Sequence, residues 1–257
     1  MNATKWIASA TTAAGLAIAA EAGAVPVGLE LMLLVDTSGS VDAGEYQLQK
    51  TGYVQAFQSA AVQNAILANP TGKIAVSYIE WSGSVEQSVR VGWTLIDSAA
   101  AANAFAAAIN ATARIYGGMT AIQSAMGTQF TAFGTETGGT DNGFESPRQV
   151  IDVSGDGADN DSPIGLLPSG GRDNALAAGV DAINGIAILG EAGLAAYYQA
   201  NVVGGAGSFY AEASTFADFG VEIVRKLERE ITGVPEPATL GLLAAGLVGV
   251  GLRRRRG

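Results

Sequence analysis

Leu29 to Val35 (LELMLLV) is an almost unbroken apolar run closed by Asp36, the pattern of a strand buried on both faces in a parallel sheet. Asp42-Ala-Gly-Glu45 follows, an acidic cap with Glu three positions on, which predicts a helix start. Apolar residues near helical spacing (Leu48, Tyr53, Val54, Phe57, Ala61, Ile66) then predict one helix from Tyr46 to Leu67, ended by the turn Asn69-Pro-Thr-Gly72. Lys73 to Trp81 reads as a second strand. Val85 to Val91 alternates apolar and polar residues, which suits an edge strand with one wet face. Ala99 to Ala111 and Ala121 to Phe133 read as helices, and Thr135 to Gly143 as a polar surface loop. Gln149 to Val153 is a third apolar strand. Beyond it the pattern predicts a helix over Asp173 to Ile183, a strand over Gly185 to Leu189, a helix over Leu194 to Asn201, a short strand at Phe209 to Ala211 and an amphipathic helix from Thr215 to Ile231.

Strands alternating with helices predict a three-layer α/β/α sandwich with a mostly parallel central sheet and one antiparallel edge strand. In such sheets ligands gather beyond the C-terminal strand ends. That directs attention to the loops after Val35, before Ala121 and after Val153.

The two ends of the chain differ from this pattern. Lys5 precedes an apolar or small run from Trp6 to Ala20, which closes in Ala20-Glu21-Ala22 and Ala22-Gly23-Ala24. This is the layout of a secretory signal peptide over residues 1–24, although an Ala-rich first helix of the fold would share the composition. At the other end, Pro235-Glu236-Pro237 is followed by an apolar run from Leu240 to Leu252 and then by Arg253 to Arg256. Thirteen residues of helix span roughly 20 Å, short of a hydrocarbon core of roughly 30 Å. The order Pro-Glu-Pro, apolar segment, basic cluster over residues 233–257 resembles the PEP-CTERM sorting signal of Gram-negative bacteria; a plain tail anchor is the alternative. The resemblance implies recognition by a membrane protease, an exosortase. It also implies a protein that is transiently held in the inner membrane through the tail and delivered to the outer surface or the extracellular matrix. Residues 25–232 are left as the folded domain.

Composition narrows the chemistry of that domain. The chain has no Cys and no His, which removes disulfides, thiolate chemistry, the Ser-His-Asp triad and nearly every zinc site. Residues 25–232 hold nine basic and 22 acidic side chains, an imbalance that repels nucleic acid and favours cations or basic partners.

The three loops then supply a constellation. In extended backbone alternate side chains share a face, so Asp36, Ser38 and Ser40 of Asp36-Thr-Ser-Gly-Ser40 can point together. The middle loop offers Thr120 after Gly117-Gly118-Met119, and the third offers Asp156 between two glycines. Two carboxylates and three hydroxyls, with no nitrogen or sulfur donor, suit a hard divalent cation. Mg2+, which needs few protein ligands, fits best, with Mn2+ or Ca2+ as alternatives.

An Asp-x-Ser-x-Ser segment after an apolar strand, a Thr after a Gly pair and an Asp after a later strand resemble the metal-ion-dependent adhesion site of von Willebrand factor type A domains. The likeness runs over roughly Leu29 to Ile231. It implies that Asp36, Ser38, Ser40, Thr120 and Asp156 hold the cation, and that a carboxylate of a protein partner completes its coordination. The function implied is adhesion or matrix binding without catalysis. The chain departs from the family where Met119 intervenes between the Gly pair and Thr120, and where Asp152 stands inside a strand.

Other readings of the same residues stay open on sequence. Asp156 to Asp161 could form a small calcium loop, with Asp159 and Asp161 otherwise expected to be solvated. Asp36 and Asp156 could flank one cation in a metal-dependent hydrolase. Ser38 as a nucleophile would need Lys50 or Lys73 as its base. The domain could also be a structural component of an exopolysaccharide matrix with a non-functional metal site. Asp152 is expected to be a hydrogen-bonded structural group beside the site, and Tyr197-Tyr198 a helix packing pair.

Overall fold

A computed structural model describes residues 23–233; the signal-peptide and sorting-tail readings fall almost wholly outside them. In chain order the elements are β1 (Val25–Pro26), β2 (Glu30–Asp36), α1 (Ala43–Gln58), α2 (Ala60–Ala68), β3 (Ile74–Trp81), β4 (Gln87–Ile96), α3 (Ala99–Asn110) and α4 (Ile122–Gln129). They continue with β5 (Phe144–Glu145), β6 (Gln149–Gly155), α5 (Gly170–Ala178), β7 (Ala182–Ile188), α6 (Leu194–Tyr197), β8 (Gly204–Gly205), β9 (Tyr210–Ala213) and α7 (Phe216–Thr232).

The central sheet runs β4-β3-β2-β6-β7, with β8 and β9 sharing the far side of β7. β2, β3, β6, β7 and β9 are parallel, and β4 is the antiparallel edge strand expected from the sequence. A two-residue antiparallel strand, β8, is added at the other edge. β2 and β6 lie side by side at the centre, with Leu33 opposite Asp152. Side chains of β2 alternate between two cores. Leu31, Leu33 and Val35 join the layer of α1, α2, α3 and α7, while Met32 and Leu34 join the layer of α4 to α6. Both faces are covered, which is why the strand reads as a continuous apolar run.

Local chemistry explains the boundaries. Asp42 caps α1 by accepting from Gly44 N and Glu45 N, and Glu45 returns a hydrogen bond to Asp42 N, a complete capping box. The single helix expected from Tyr46 to Leu67 is two helices. Ser59 is extended, donates to Ala56 O at 2.7 Å and accepts from Val62 N, so its hydroxyl stops α1 and starts α2. The expected helix over Asp173 to Ile183 is also corrected. It spans Gly170–Ala178 and stops at Gly179 with φ +118°, and Ile183 belongs to β7. Phe130–Phe133 continues α4 as a 3-10 turn. Among the described residues no helix is long and apolar enough to cross a membrane.

Candidate metal centre

β2 and β6 both end at the same rim, and the loops that leave them meet there. Asp36, the last residue of β2, is buried, and its Oδ1 accepts from Ser38 N at 2.7 Å. Ser38 Oγ lies 3.2 Å from Ser40 Oγ, and Ser40 Oγ donates to Asp156 Oδ1 at 2.7 Å. Four of the five residues predicted from sequence thus form one polar chain linking β2 to the loop after β6. Thr120 joins them from the third direction. A Cβ on Gly157 would lie 3.6 Å from Thr120 Oγ1, and Ser40, Thr120, Asp156 and Gly157 line one cleft of about 260 Å³ with Asn160 and Glu191.

Main-chain bonds hold the three loops in register. Gly39 N donates to Gly118 O at 2.7 Å, and a Cβ on Gly39 would sit 3.1 Å from Gly117 O, so the glycine permits this approach. Gly118 is equally constrained, because its Cβ would come within 2.2 Å of Glu86 Oε2. Thr120 N donates to Asn160 Oδ1, while Thr120 O accepts from Asn160 N and Asp161 N. Arg114 donates from Nη2 to Thr37 O and Ser38 O, both at 2.8 Å, and from Nε to Tyr116 O. Met119 does not disturb this arrangement: its side chain is exposed, and its carbonyl accepts from Ser82 Oγ.

The electrostatics of the site favour a cation. Burial pushes the Asp36 carboxyl up to about 7, against hydrogen bonds from Ser38 that pull it down. Burial also raises Asp156, opposed by the Ser40 hydrogen bond and assisted by the charges of Glu45 and Glu191. Asp36 Oδ2 is buried with no hydrogen-bond partner, and so is the Tyr198 hydroxyl. Both close on Gly155, where an added Cβ would stand 2.7 Å from each. An unpartnered carboxylate oxygen in a dry setting is costly unless a positive charge reaches it. The donor set is wholly oxygen and fits a hard divalent ion. Among the described residues no group of three or more His, Cys, Asp or Glu could hold a metal. The predicted donors at this rim are two carboxylates and three hydroxyls, with Asn160 and Glu191 lining the same cleft.

Several residues escape the sequence pattern. Asp159 and Asp161, expected to be solvated, are structural anchors. Asp159 accepts from Gln123 N (2.7 Å), Ser162 N and Ser162 Oγ, and Ser162 Oγ accepts from Ser124 N. They cap α4 from a distant loop, since Ala121 at its start offers no side-chain cap. Asp161 accepts from Ser84 N. Gln49 Nε2 bridges Asp36 O and Ser154 Oγ from α1. Asp152 lies away from the rim: it faces α7, where it meets Lys226. Tyr198 combines helix packing with proximity to Asp36. Lys50 Nζ is taken up by Asn110 O and Thr112 O.

The comparisons agree with this architecture. A model of the family described as "Protein of unknown function (DUF1194)" matches residues 26–235, and the PEP-CTERM protein-sorting motif matches residues 233–256. No curated protein matches the chain. Among solved structures, proximal thread matrix protein 1 from the mussel byssus superimposes with a TM-score of 0.57 at 13% identity, covering 82% of this chain and 49% of that one. The pilus adhesin SpaC from Lactobacillus rhamnosus GG, in its open conformation, gives 0.57 at 14% identity, with coverage of 80% and 30%. The von Willebrand factor type A protein from Catenulispora acidiphila gives 0.51 at 14% identity, with coverage of 80% and 43%. This chain spans less than half the length of each. The mussel protein has also been solved with a "zinc occupied MIDAS motif". With a von Willebrand factor type A fold and a C-terminal PEP-CTERM motif, the chain belongs to the DUF1194 family.

Proposed function

We propose that the domain is an exported binding module. In this reading it grips a carboxylate of a protein partner through a divalent cation, Mg2+ in the first instance, held by Asp36, Ser38, Ser40, Thr120 and Asp156. The observation that carries it is the convergence of these oxygens from three loops on one rim, with Asp36 Oδ2 buried and unpartnered. The cleft beside Ser40, Thr120 and Asp156 leaves room for a ligand atom at the cation. The fold and the sorting motif support a role in adhesion or in an extracellular matrix, in line with the matrix protein and the pilus adhesin it resembles. The PEP-CTERM motif implies processing by an exosortase, and delivery to the outer surface after transient inner-membrane anchoring follows from this reading. The chain has no His and no Cys, which removes the commonest nucleophile–base pairs and favours a binding role over hydrolysis. Calorimetric titration of the domain with Mg2+ or Mn2+ tests the reading. Saturable one-site binding that Asp36→Ala abolishes is expected; no binding, or equal binding by Asp36→Ala, would overturn it.

A further inference from the structure

Three ionisable side chains with no part in the rim meet at the interface between β6 and α7. Lys226 and Glu230 stand one turn apart on the buried face of α7, and Asp152 stands in the middle of β6. All three are inaccessible to solvent, with Lys226 2% and Glu230 1% exposed and Asp152 fully covered. Lys226 Nζ lies 2.5 Å from Asp152 Oδ1 and 2.5 Å from Glu230 Oε1. A charge-assisted N–H···O bond ordinarily spans about 2.7–2.9 Å. Yet neither oxygen of Asp152 has a hydrogen-bond partner. The nitrogen is therefore closer to the Asp152 carboxyl than a hydrogen bond requires, without the alignment of one.

The surroundings favour neutral species. Lys226 Nζ lies 5.8 Å from the centre of the Phe209 ring, and Tyr53, packed edge-on to Phe219 and Tyr78, sits on the same side of the sheet. Two carboxylates against one ammonium leave an unbalanced buried charge. Burial raises the Asp152 carboxyl, and burial together with the Asp152 charge pushes Glu230 up to about 8, so the group retains a proton at neutral pH. Asn184, opposite Asp152 on β7, donates to Glu230 Oε1 at 3.0 Å and fixes that carboxyl beside the lysine.

We propose that Lys226 and Asp152 condense into an intramolecular amide that staples α7 to the central strand, with Glu230 as proton carrier. The Lys226 ammonium passes a proton to the Asp152 carboxylate, leaving a neutral amine and a neutral acid. The amine attacks Asp152 Cγ, and a C–N bond forms. The proton shed by nitrogen moves to the departing hydroxyl through Glu230, the C–O bond breaks, and one water leaves. Glu230 ends as it began, and no oxidant or other reactant is consumed. Glu230, Asn184 and Phe209 also line a cleft of about 410 Å³, which gives the water an exit. Holding amine and acid in contact replaces a bimolecular step with an intramolecular one, and the Glu230 proton turns the poor hydroxide leaving group into water. The staple would replace a buried ion pair with a neutral bond and fix the last helix of the domain, from which the sorting tail continues.

Intact-mass spectrometry and tryptic mapping of the full chain test this. The expected result is a mass lower than that of the linear sequence by one water, with residues 149–172 joined to residues 226–229 in one branched peptide. Glu230→Gln, nearly isosteric, should fold by circular dichroism and show its own linear mass. A wild-type chain with linear mass and an unmodified Lys226 would overturn the proposal. Full cross-linking in Glu230→Gln would overturn the role of Glu230.

Discussion

The sharpest consequence of the rim geometry concerns Asp36 in the absence of metal. Its carboxyl titrates at about 7 in the fold and near the ordinary 3.8 when the chain is unfolded. Between those values the folded state holds a proton that the unfolded state has released. Stability therefore falls as pH rises through this window; the favourable contribution is complete below pH 3.8 and gone above about 7. A gap of about three units corresponds to about 4 kcal/mol, a large part of the stability of a typical domain. Asp36→Asn keeps an acceptor for Ser38 N and removes the ionisation. In chelator, urea unfolding of both proteins from pH 4 to 8.5 should show the variant gaining on wild type as pH rises, by up to that amount. Glu230 titrates over a similar range, but it is common to both chains and cancels in the difference. Added Mg2+ should stabilise wild type at pH 8 and leave the variant unmoved. Parallel stability–pH curves for the two proteins in chelator would refute the claim that ionised Asp36 is uncompensated.

Two further outcomes follow from the packing around the rim. Gly155→Ala places a methyl group 2.7 Å from both Asp36 Oδ2 and the Tyr198 hydroxyl; it should cost about 1–3 kcal/mol in chemical unfolding and weaken Mg2+ binding, and unchanged values would contradict the contact. Asp159→Ala removes the acceptor for Gln123 N and Ser162 N, so α4 loses its cap from the neighbouring loop; a loss of about 1–2 kcal/mol is expected, visible as faster amide exchange at Gln123 and Ser124.

Much of this protein is written in short-range pattern. The strands β2, β3 and β6 are apolar runs because both their faces are covered, so burial alone marks them. Asp42 and Glu45 announce α1 because a capping box is complete within four residues. The Asp36-Thr-Ser-Gly-Ser40 segment, Thr120 and Asp156 are recognisable because the parallel sheet delivers its C-terminal loops to one rim, and the ordering of strands fixes which loops meet. Absence of His and Cys removes the usual nitrogen and thiolate ligands before a fold is known.

The tertiary structure decided what depends on partners distant in sequence. Ser59 breaks a helix whose apolar spacing runs on without interruption, because one hydroxyl serves two backbones. Asp159 and Asp161 look like solvated loop acids until the helix and loop they anchor are brought beside them. Asp152, Lys226 and Glu230 are separated by more than seventy residues of chain between the first and the others, and only the docking of α7 on β6 makes them one group. Periodicity reports which face of an element is apolar; it carries no information about which charged side chains that face will meet, because the meeting is set by packing across the sheet.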